Sequence, residues 1–221
     1  TNADNGVKST RGGAITIQAI EAATIESVTF AASLAVGVGG VGVAVSGAGA
    51  AATNLIFNTT DAYVQGSRLD SAGNVTLTAS DTSAINAIVA ALTASIAGGA
   101  VGVGVSIGGA FATNLIGSDL QRAGVQAYVL GSTITAAGAL SQTATGAQTV
   151  RAAVLAGSAA IAAGGVGVGV SGTGVVAINM ISADIKAFIQ SATVTTGSVA
   201  LKADDTSRIM AFAGSASVAA A

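Results

Sequence analysis

Residues 41–46 read VGVAVS, and the chain returns to this word twice, as VGVGVS at 101–106 and again at 166–171. The copies stand 60 and 65 residues apart. Valine alternates with smaller residues in each copy, and a period of two is typical of a β-strand, whose successive side chains point to opposite faces. A strand that recurs at a long period indicates a repeat architecture.

Two further words follow in every copy and in the same order. They are NLI at 54–56, NLI at 114–116 and NMI at 179–181, then AYV at 62–64, AYV at 127–129 and AFI at 187–189. The second copy alone holds about five extra residues, within 117–126, and this insertion predicts an enlarged surface loop.

The repeats predict one β-solenoid segment over residues 1–221. Its copies cover approximately 15–40 (partial), 41–100, 101–165 and 166–221 (partial). Because both outer copies are incomplete and uncapped, we expect a fragment of a longer repeat array, and no signal peptide is visible.

The second half of each repeat predicts the architecture. Residues 62–80, AYVQGSRLDSAGNVTLTAS, form three short alternating stretches separated by Gly, Ser or Asn, which describes one coil of a parallel β-helix. The sequence therefore predicts an all-β fold, a parallel β-helix (β-solenoid) in which each 60-residue repeat makes about three coils. The chain would then contain about ten coils, stacked about 4.8 Å apart in a rod about 50 Å long.

The segment before each double glycine is ambiguous between helix and strand. Ile85, Val89 and Leu92 fit one helical face, whereas residues 27–36 alternate with a period of two. A hydropathy scan would place transmembrane helices here, but each Gly disfavours a helix by about 1 kcal/mol, so we expect strands. The double glycines are then predicted to mark corners, because Gly adopts backbone angles closed to other residues. These corner residues are Gly39, Gly40, Gly98, Gly99, Gly164 and Gly165.

One polar residue holds the same place in each copy, at Asn54, Asn114 and Asn179. These amides are either ligand contacts or inward-facing groups that bond to the backbone of neighbouring coils, as Asn ladders do in stacked strands. We favour the structural role.

The composition excludes several classes of catalysis and binding. The chain has no His or Cys, which excludes Ser-His-Asp and Cys-His catalysis, and its net charge of −2 offers no basic face for nucleic acid. The sequence GVGGVG at 37–42 matches a dinucleotide fingerprint, but the corresponding residues of the later copies, 97–102 and 162–167, lack the pattern. The acidic residues are scattered, with only Asp204 and Asp205 adjacent. We therefore expect no enzyme activity, no cofactor and no metal site.

The repeated words resemble those of very large bacterial surface proteins, the leukotoxin-family filamentous adhesins. The likeness is carried by 62–75 and 127–140, by ASDTSAI at 79–85 and by the VGVGVS words, and it covers nearly the whole chain. It implies a repetitive stalk or fibre, secreted to the bacterial cell surface, that serves adhesion and self-association. It brings no catalytic residues with it.

A second interpretation stays open. Charged residues make up only 8% of the chain and mean hydropathy is +0.74, so the predicted solenoid has little charged cover. Contiguous apolar surface on a soluble protein usually marks an interaction site, so we expect lateral or end-to-end self-association or contact with a host or partner cell surface. The alternative is a membrane-active, Gly-rich β module of a secreted toxin, although we expect no membrane insertion.

Overall fold

The structure, a computed structural model, describes residues 7–9 and 13–221, which form fifteen β-strands and contain no helix. All strand pairs are parallel and build four sheets, which confirms the predicted parallel β-helix. Sheet 1 contains Ile15–Glu21 (β2), Val75–Asp81 (β6), Ala139–Gly146 (β10) and Ser198–Asp205 (β14). Sheet 2 contains Thr24–Ile56 (β3), Ala84–Ile116 (β7), Thr149–Ile181 (β11) and Arg208–Ala220 (β15). Sheet 3 contains Thr59–Gln65 (β4), Ala123–Leu130 (β8) and Ala183–Gln190 (β12). Sheet 4 contains Val7–Ser9 (β1), Arg68–Ser71 (β5), Thr133–Ala136 (β9) and Thr193–Thr195 (β13).

Each sequence repeat makes one coil. Val41 pairs with Val101, and Val101 pairs with Val166, so the three VGVGVS-type words lie in register along one axis, as predicted. The prediction of three coils per repeat, and of a long thin rod, is wrong. The described residues form three complete coils and part of a fourth, which at about 4.8 Å per coil extend only about 15 Å along the axis. The coil is instead very wide.

The width comes from the 33-residue strands of sheet 2, which run out, reverse at the glycines and run back. We call this part of the molecule the fin. Its outbound legs are residues 24–38, 84–98, 149–163 and 208–220, and its return legs are residues 41–56, 101–116 and 166–181. Side chains equidistant from the reversal meet across the fin, as Ser46 does with Ser33. Hydrogen bonds of the sheet join each leg to the same leg of the next coil, so the two legs form stacked layers.

The reversal explains part of the glycine pattern. Gly39, Gly99 and Gly164 pair with one another across the coils, and the next residue of each coil has no partner in the ladder. Gly99 has a φ of +154°, and a Cβ there would collide with the Gly39 carbonyl oxygen. Gly40 and Gly165 follow at the unpaired position. Gly98 lies one residue earlier, beside Val38 and Ala163, so that site does not require glycine.

The segments before the glycines are strands throughout, and the helical alternative is wrong. The face that Ile85, Val89 and Leu92 would share in a helix does not exist, because side chains alternate between the interior of the fin and its outer surface. Ile85 and Val89 are buried, whereas Ile88, Leu92 and Ile96 are about half exposed.

The interior of the fin is built from small residues. A Cβ on Gly102 would stand 3.0 Å from the Ala163 carbonyl oxygen, and one on Gly104 would stand 3.1 Å from that of Ile161. Closer to the base the facing residues grow to alanine and valine. The buried members of this cluster are Ala50, Ala52, Val89, Ala91, Ala110, Ala112, Val154 and Ala156. The two legs therefore approach closely near the tip, and the larger apolar residues lie on the outside.

Sheets 1, 3 and 4 enclose a conventional apolar core, and we call this part the base. Its buried side chains include Val75, Leu77, Val125, Val129, Ile134 and Leu140. A second cluster joins base and fin through Ile56, Ile85, Ile116, Ala123 and Val150. The five-residue insertion forms an irregular surface loop between β7 and β8, as predicted, with Leu120 fully exposed at its tip.

We predict that Gly104→Val unfolds the protein more readily, because the side chain would enter the space between the legs, where the Ser95 hydroxyl oxygen is only 3.3 Å from the added Cβ. Overpacking of this kind costs about 1–3 kcal/mol. The matched control is Gly172→Val, on the outer face, where a Cβ meets nothing within 4 Å and the neighbouring coil already carries Ile107. Urea unfolding measures both variants, and equal loss of stability would contradict a close approach of the legs.

Candidate interaction surfaces

The structure places the three repeated asparagines inside the fin, close to the base. Asn54 donates from Nδ2 to Oδ1 of Asn114 at 2.8 Å, and Asn114 donates in the same way to Asn179 at 2.8 Å. Asn54 and Asn114 are buried. The amides thus bond to one another, and not to the backbone groups that the sequence interpretation expected. The amide of Asn114 is buried and bonded on both sides from within the chain, so it is not available to a ligand.

Hydroxyl groups form a second set of contacts halfway along the fin, which the sequence analysis missed. Ser46 bonds to Ser33 at 3.0 Å, Ser106 to Thr93 at 2.8 Å, and Ser158 to Ser171 at 2.5 Å. In every coil the two partners are 13 residues apart and straddle the reversal symmetrically. That symmetry about the glycines is the signal that would have identified them.

We predict that Asn114→Leu lowers the free energy of unfolding by about 2–3 kcal/mol, because it leaves a donor on Asn54 and an acceptor on Asn179 without partners in a buried place. The triple change of Asn54, Asn114 and Asn179 to Leu removes the whole ladder. It should therefore cost less than the single change, since no polar group is left orphaned. Denaturant unfolding of the two variants tests this. If the triple variant loses about three times as much stability as the single variant, the ladder contributes nothing as a unit.

A buried carboxylate lies where sheet 1 meets the fin. Oδ1 of Asp81 accepts bonds from the backbone nitrogen of Ser83 at 2.8 Å and from its hydroxyl at 2.6 Å. Oδ2 accepts from Asn58 at 3.0 Å and from Gln148 at 2.5 Å. Because Asn58 belongs to the first coil and Gln148 to the third, Asp81 ties three consecutive coils together. Sequence reasoning treated this residue only as a scattered acid.

The surroundings of Asp81 argue for a structural role. All four contacts are donors, which fills the lone pairs of a carboxylate, and Asp81, Ser83 and Gln148 are fully buried. In the described residues, no group of three or more His, Cys, Asp or Glu comes together as a metal site. Asp205 occupies the same column two coils further on and repeats the turn by accepting from the Ser207 nitrogen at 2.9 Å, but it is exposed.

We predict that Asp81→Asn destabilises the protein by about 2–3 kcal/mol, because the amide NH2 group must face a donor where the carboxylate oxygen accepted. Asp205→Asn is the matched control. It keeps the turn through its own Oδ1 and should change stability by less than about 0.5 kcal/mol. Thermal unfolding of the two variants provides the comparison, and a harmless change at Asp81 would show that the network is not structural.

The AYV and AFI words form an aromatic ladder on the outer face of sheet 3. The rings of Tyr63 and Tyr128 stack with centroids 5.2 Å apart, and those of Tyr128 and Phe188 with centroids 5.0 Å apart. Burial raises the pKa of the neighbouring Asp61 carboxyl, and burial together with the Asp61 charge raises the pKa of the Tyr128 hydroxyl. Since the ring faces are used against one another, the ladder presents mainly ring edges to a ligand.

Charged side chains are concentrated on the base. Arg68 pairs with Asp70, Lys186 with Asp184, and Lys202 with Asp204, each between exposed side chains two residues apart on one strand. The described fin carries ionisable side chains only at its foot, where Glu26, Arg151 and Arg208 begin the outbound legs. Ion pairs of this exposed kind contribute little to stability.

Both outer faces of the fin are apolar and exposed. On the outbound face Val28, Phe30, Leu34 and Val36 of the first coil are more than half exposed. The return face carries three valines from each coil. Contiguous apolar patches on the outside of a soluble protein usually mark interaction surfaces. The fin, and not the side of a thin rod, is therefore the candidate functional region.

Comparisons with known proteins give no significant match to a family model, a curated protein or a solved structure. Within the described residues no helix has the length and apolar character to cross a membrane. The fold alone defines the class, which is that of parallel β-solenoids with stacked, in-register coils.

Proposed function

We propose that this chain is a structural and interaction segment of a large secreted bacterial adhesin or extracellular fibre. In this role it serves as a repetitive stalk at the bacterial cell surface, with a part in self-association or surface adhesion. The observation that carries the proposal is the register of sheet 2. The strand Ala84–Ile116 pairs along nearly its whole length with the coil before it and the coil after it.

Such pairing makes each coil a template for the next. Amides, hydroxyls and aromatic rings recur at the same places, so the same contacts form again with every added coil. Stability in repeat proteins of this kind is close to a sum of nearest-neighbour terms, which suits a structure whose length is set by copy number. The resemblance of the repeated words to filamentous adhesins agrees with this use.

We propose no catalytic role for the chain. The buried carboxylate of Asp81 has its bonding capacity filled from within the protein, and three of the remaining acids pair with a basic residue on an exposed strand. General acid–base chemistry needs a group within reach of a substrate and with a proton to exchange. Neither arrangement provides one, so these four acids support no catalytic step.

A second candidate function, a membrane-active module of a secreted toxin, rests on one observation. The fin is apolar on both outer faces at once and has no ionisable group beyond its foot. Flotation with phosphatidylcholine vesicles tests this candidate. The stalk function predicts that the protein stays at the bottom of the gradient, whereas a membrane module rises with the lipid.

Duplication of one coil tests the stalk function directly. We predict that a second copy of residues 84–148, inserted after the first, adds one coil about 4.8 Å thick without changing the cross-section, and raises the free energy of unfolding. Small-angle scattering and urea unfolding measure these changes. The matched control duplicates only residues 84–130, which cannot complete a coil and should destabilise the protein. If both insertions behave alike, the coils do not act as stacking units.

A further inference from the structure

The return face of the fin has a regular relief that the outbound face lacks. Near the tip three columns, one residue from each coil, contain only valine. These columns are Val41, Val101 and Val166, then Val43, Val103 and Val168, then Val45, Val105 and Val170. The six valines of the first and third coils, whose return legs are the outer strands of the described stack, are between 46% and 68% exposed, and those of the second coil are half-buried. The three columns together form a ridge that runs along the stack.

A groove lies beside this ridge. Gly49, Gly109 and Gly174 form a column of glycines, and a Cβ at any of them would meet no atom closer than 4.0 Å. The groove is bounded by Ala51 and Phe111 on the side of the base. Ridge and groove lie four residues apart along the strand, about 13 Å between Val45 and Gly49.

We propose that the return face binds a second copy of this chain, with the valine ridge of each copy seated in the glycine groove of the other. A two-fold axis parallel to the stack, passing by Ile107, brings the Val45 column of one copy opposite the Gly49 column of its partner and the reverse. It also places the exposed Ile107 side chains of the two copies against each other. The interface is therefore isologous, with one surface used twice. The inference deepens the proposed stalk function by naming its self-association surface.

The area of this face is sufficient. A return leg of 16 residues is about 50 Å long, and three coils are about 14 Å deep, which gives about 700 Å² of flat surface. A specific interface buries about 800 Å² on each partner. Every further coil adds about 240 Å², because an axis parallel to the stack repeats the contact in each coil. Two long arrays would therefore bind side by side and point the same way.

The opposite face does not offer the same fit. Every one of its columns is mixed, as in the column of Phe30, Ala90 and Leu155. The return face has mixed columns too, such as Gly47, Ile107 and Gly172, but it also has the four uniform columns of the ridge and the groove. Its foot carries Glu26 and Arg151, whereas the return legs have no ionisable residue. A regular lateral contact therefore selects the return face.

Lysine substitutions test the surface. Sedimentation equilibrium of the whole chain should give twice the mass of one chain, and the triple variant Val43→Lys, Val103→Lys and Val168→Lys should give the mass of one. The matched control places lysines at Leu34, Ile96 and Ile161, which are at least as exposed on the outbound face, and should remain a dimer. Loss of the dimer in the control, or its survival in the valine variant, would overturn the proposal.

Cysteine cross-linking tests the position of the axis. The chain has no native Cys, so only the introduced residues can form disulfides. A mixture of Val105→Cys and Gly109→Cys should form disulfide-linked dimers, since the two positions face each other. Val105→Cys alone should not, because its two copies would lie about 13 Å apart, beyond the reach of a disulfide. Cross-linking of Val105→Cys alone, with none in the mixture, would exclude ridge-in-groove packing.

Two other outcomes count against the proposal. Dimers insensitive to the valine changes would indicate contact at the ends of the stack and would leave the stalk function intact. Monomers that float with phosphatidylcholine vesicles, and lose flotation in the valine variant, would assign this face to lipid and would contradict the stalk function as well. Failure of the stalk function is recognised separately, by the coil-duplication experiment. Circular dichroism of each variant confirms that the strands are retained.

Discussion

The close approach of the two legs of the fin is the constraint on which the rest of the molecule depends. At Gly102 and Gly104 the backbones lie so near to one another that a single methyl group would be in tight contact. Side chains on the inner faces must therefore be small, and the larger apolar residues can point only outward. A chain that is 51% hydrophobic thus has a fin with a thin interior and an apolar exterior. The usual relation between core and surface, with bulk inside, holds in the base alone.

Polar groups inside this narrow space specify how the coils align. A stack of valines and glycines tolerates a slip of two residues, because each side chain then meets one of nearly the same size. Asn114, Thr93 and Asp81 do not tolerate it, since a slip would leave buried donors and acceptors without partners. Their contribution lies in fixing the register as much as in stability.

The sequence predicts the strands, the parallel stacking and the register, because these follow from a period of two within a long repeat. It does not predict the coil. In the sequence, Gly66 and Gly131 look like the corners of a short coil. Nothing in the composition shows that the 33-residue segment between sheets 1 and 3 runs away from the solenoid axis and returns to it. The Asp81 network escaped notice for a related reason. Asn58 and Gln148 lie 23 and 67 residues from it, and only the three-dimensional stack brings them together.

The asparagine ladder also gives the molecule a direction. Asn54 acts in it only as a donor, and Asn179 acts only as an acceptor. A coil stacked beyond Asn54 must supply an amide hydrogen, and one stacked beyond Asn179 must supply an oxygen. Bonds in such a row polarise one another in the same sense, so each added amide binds more firmly than an isolated pair would. Two stacks joined by their Asn54 ends would set oxygen against oxygen, and two joined by their Asn179 ends would set hydrogen against hydrogen. A stack of this kind therefore has two chemically different ends.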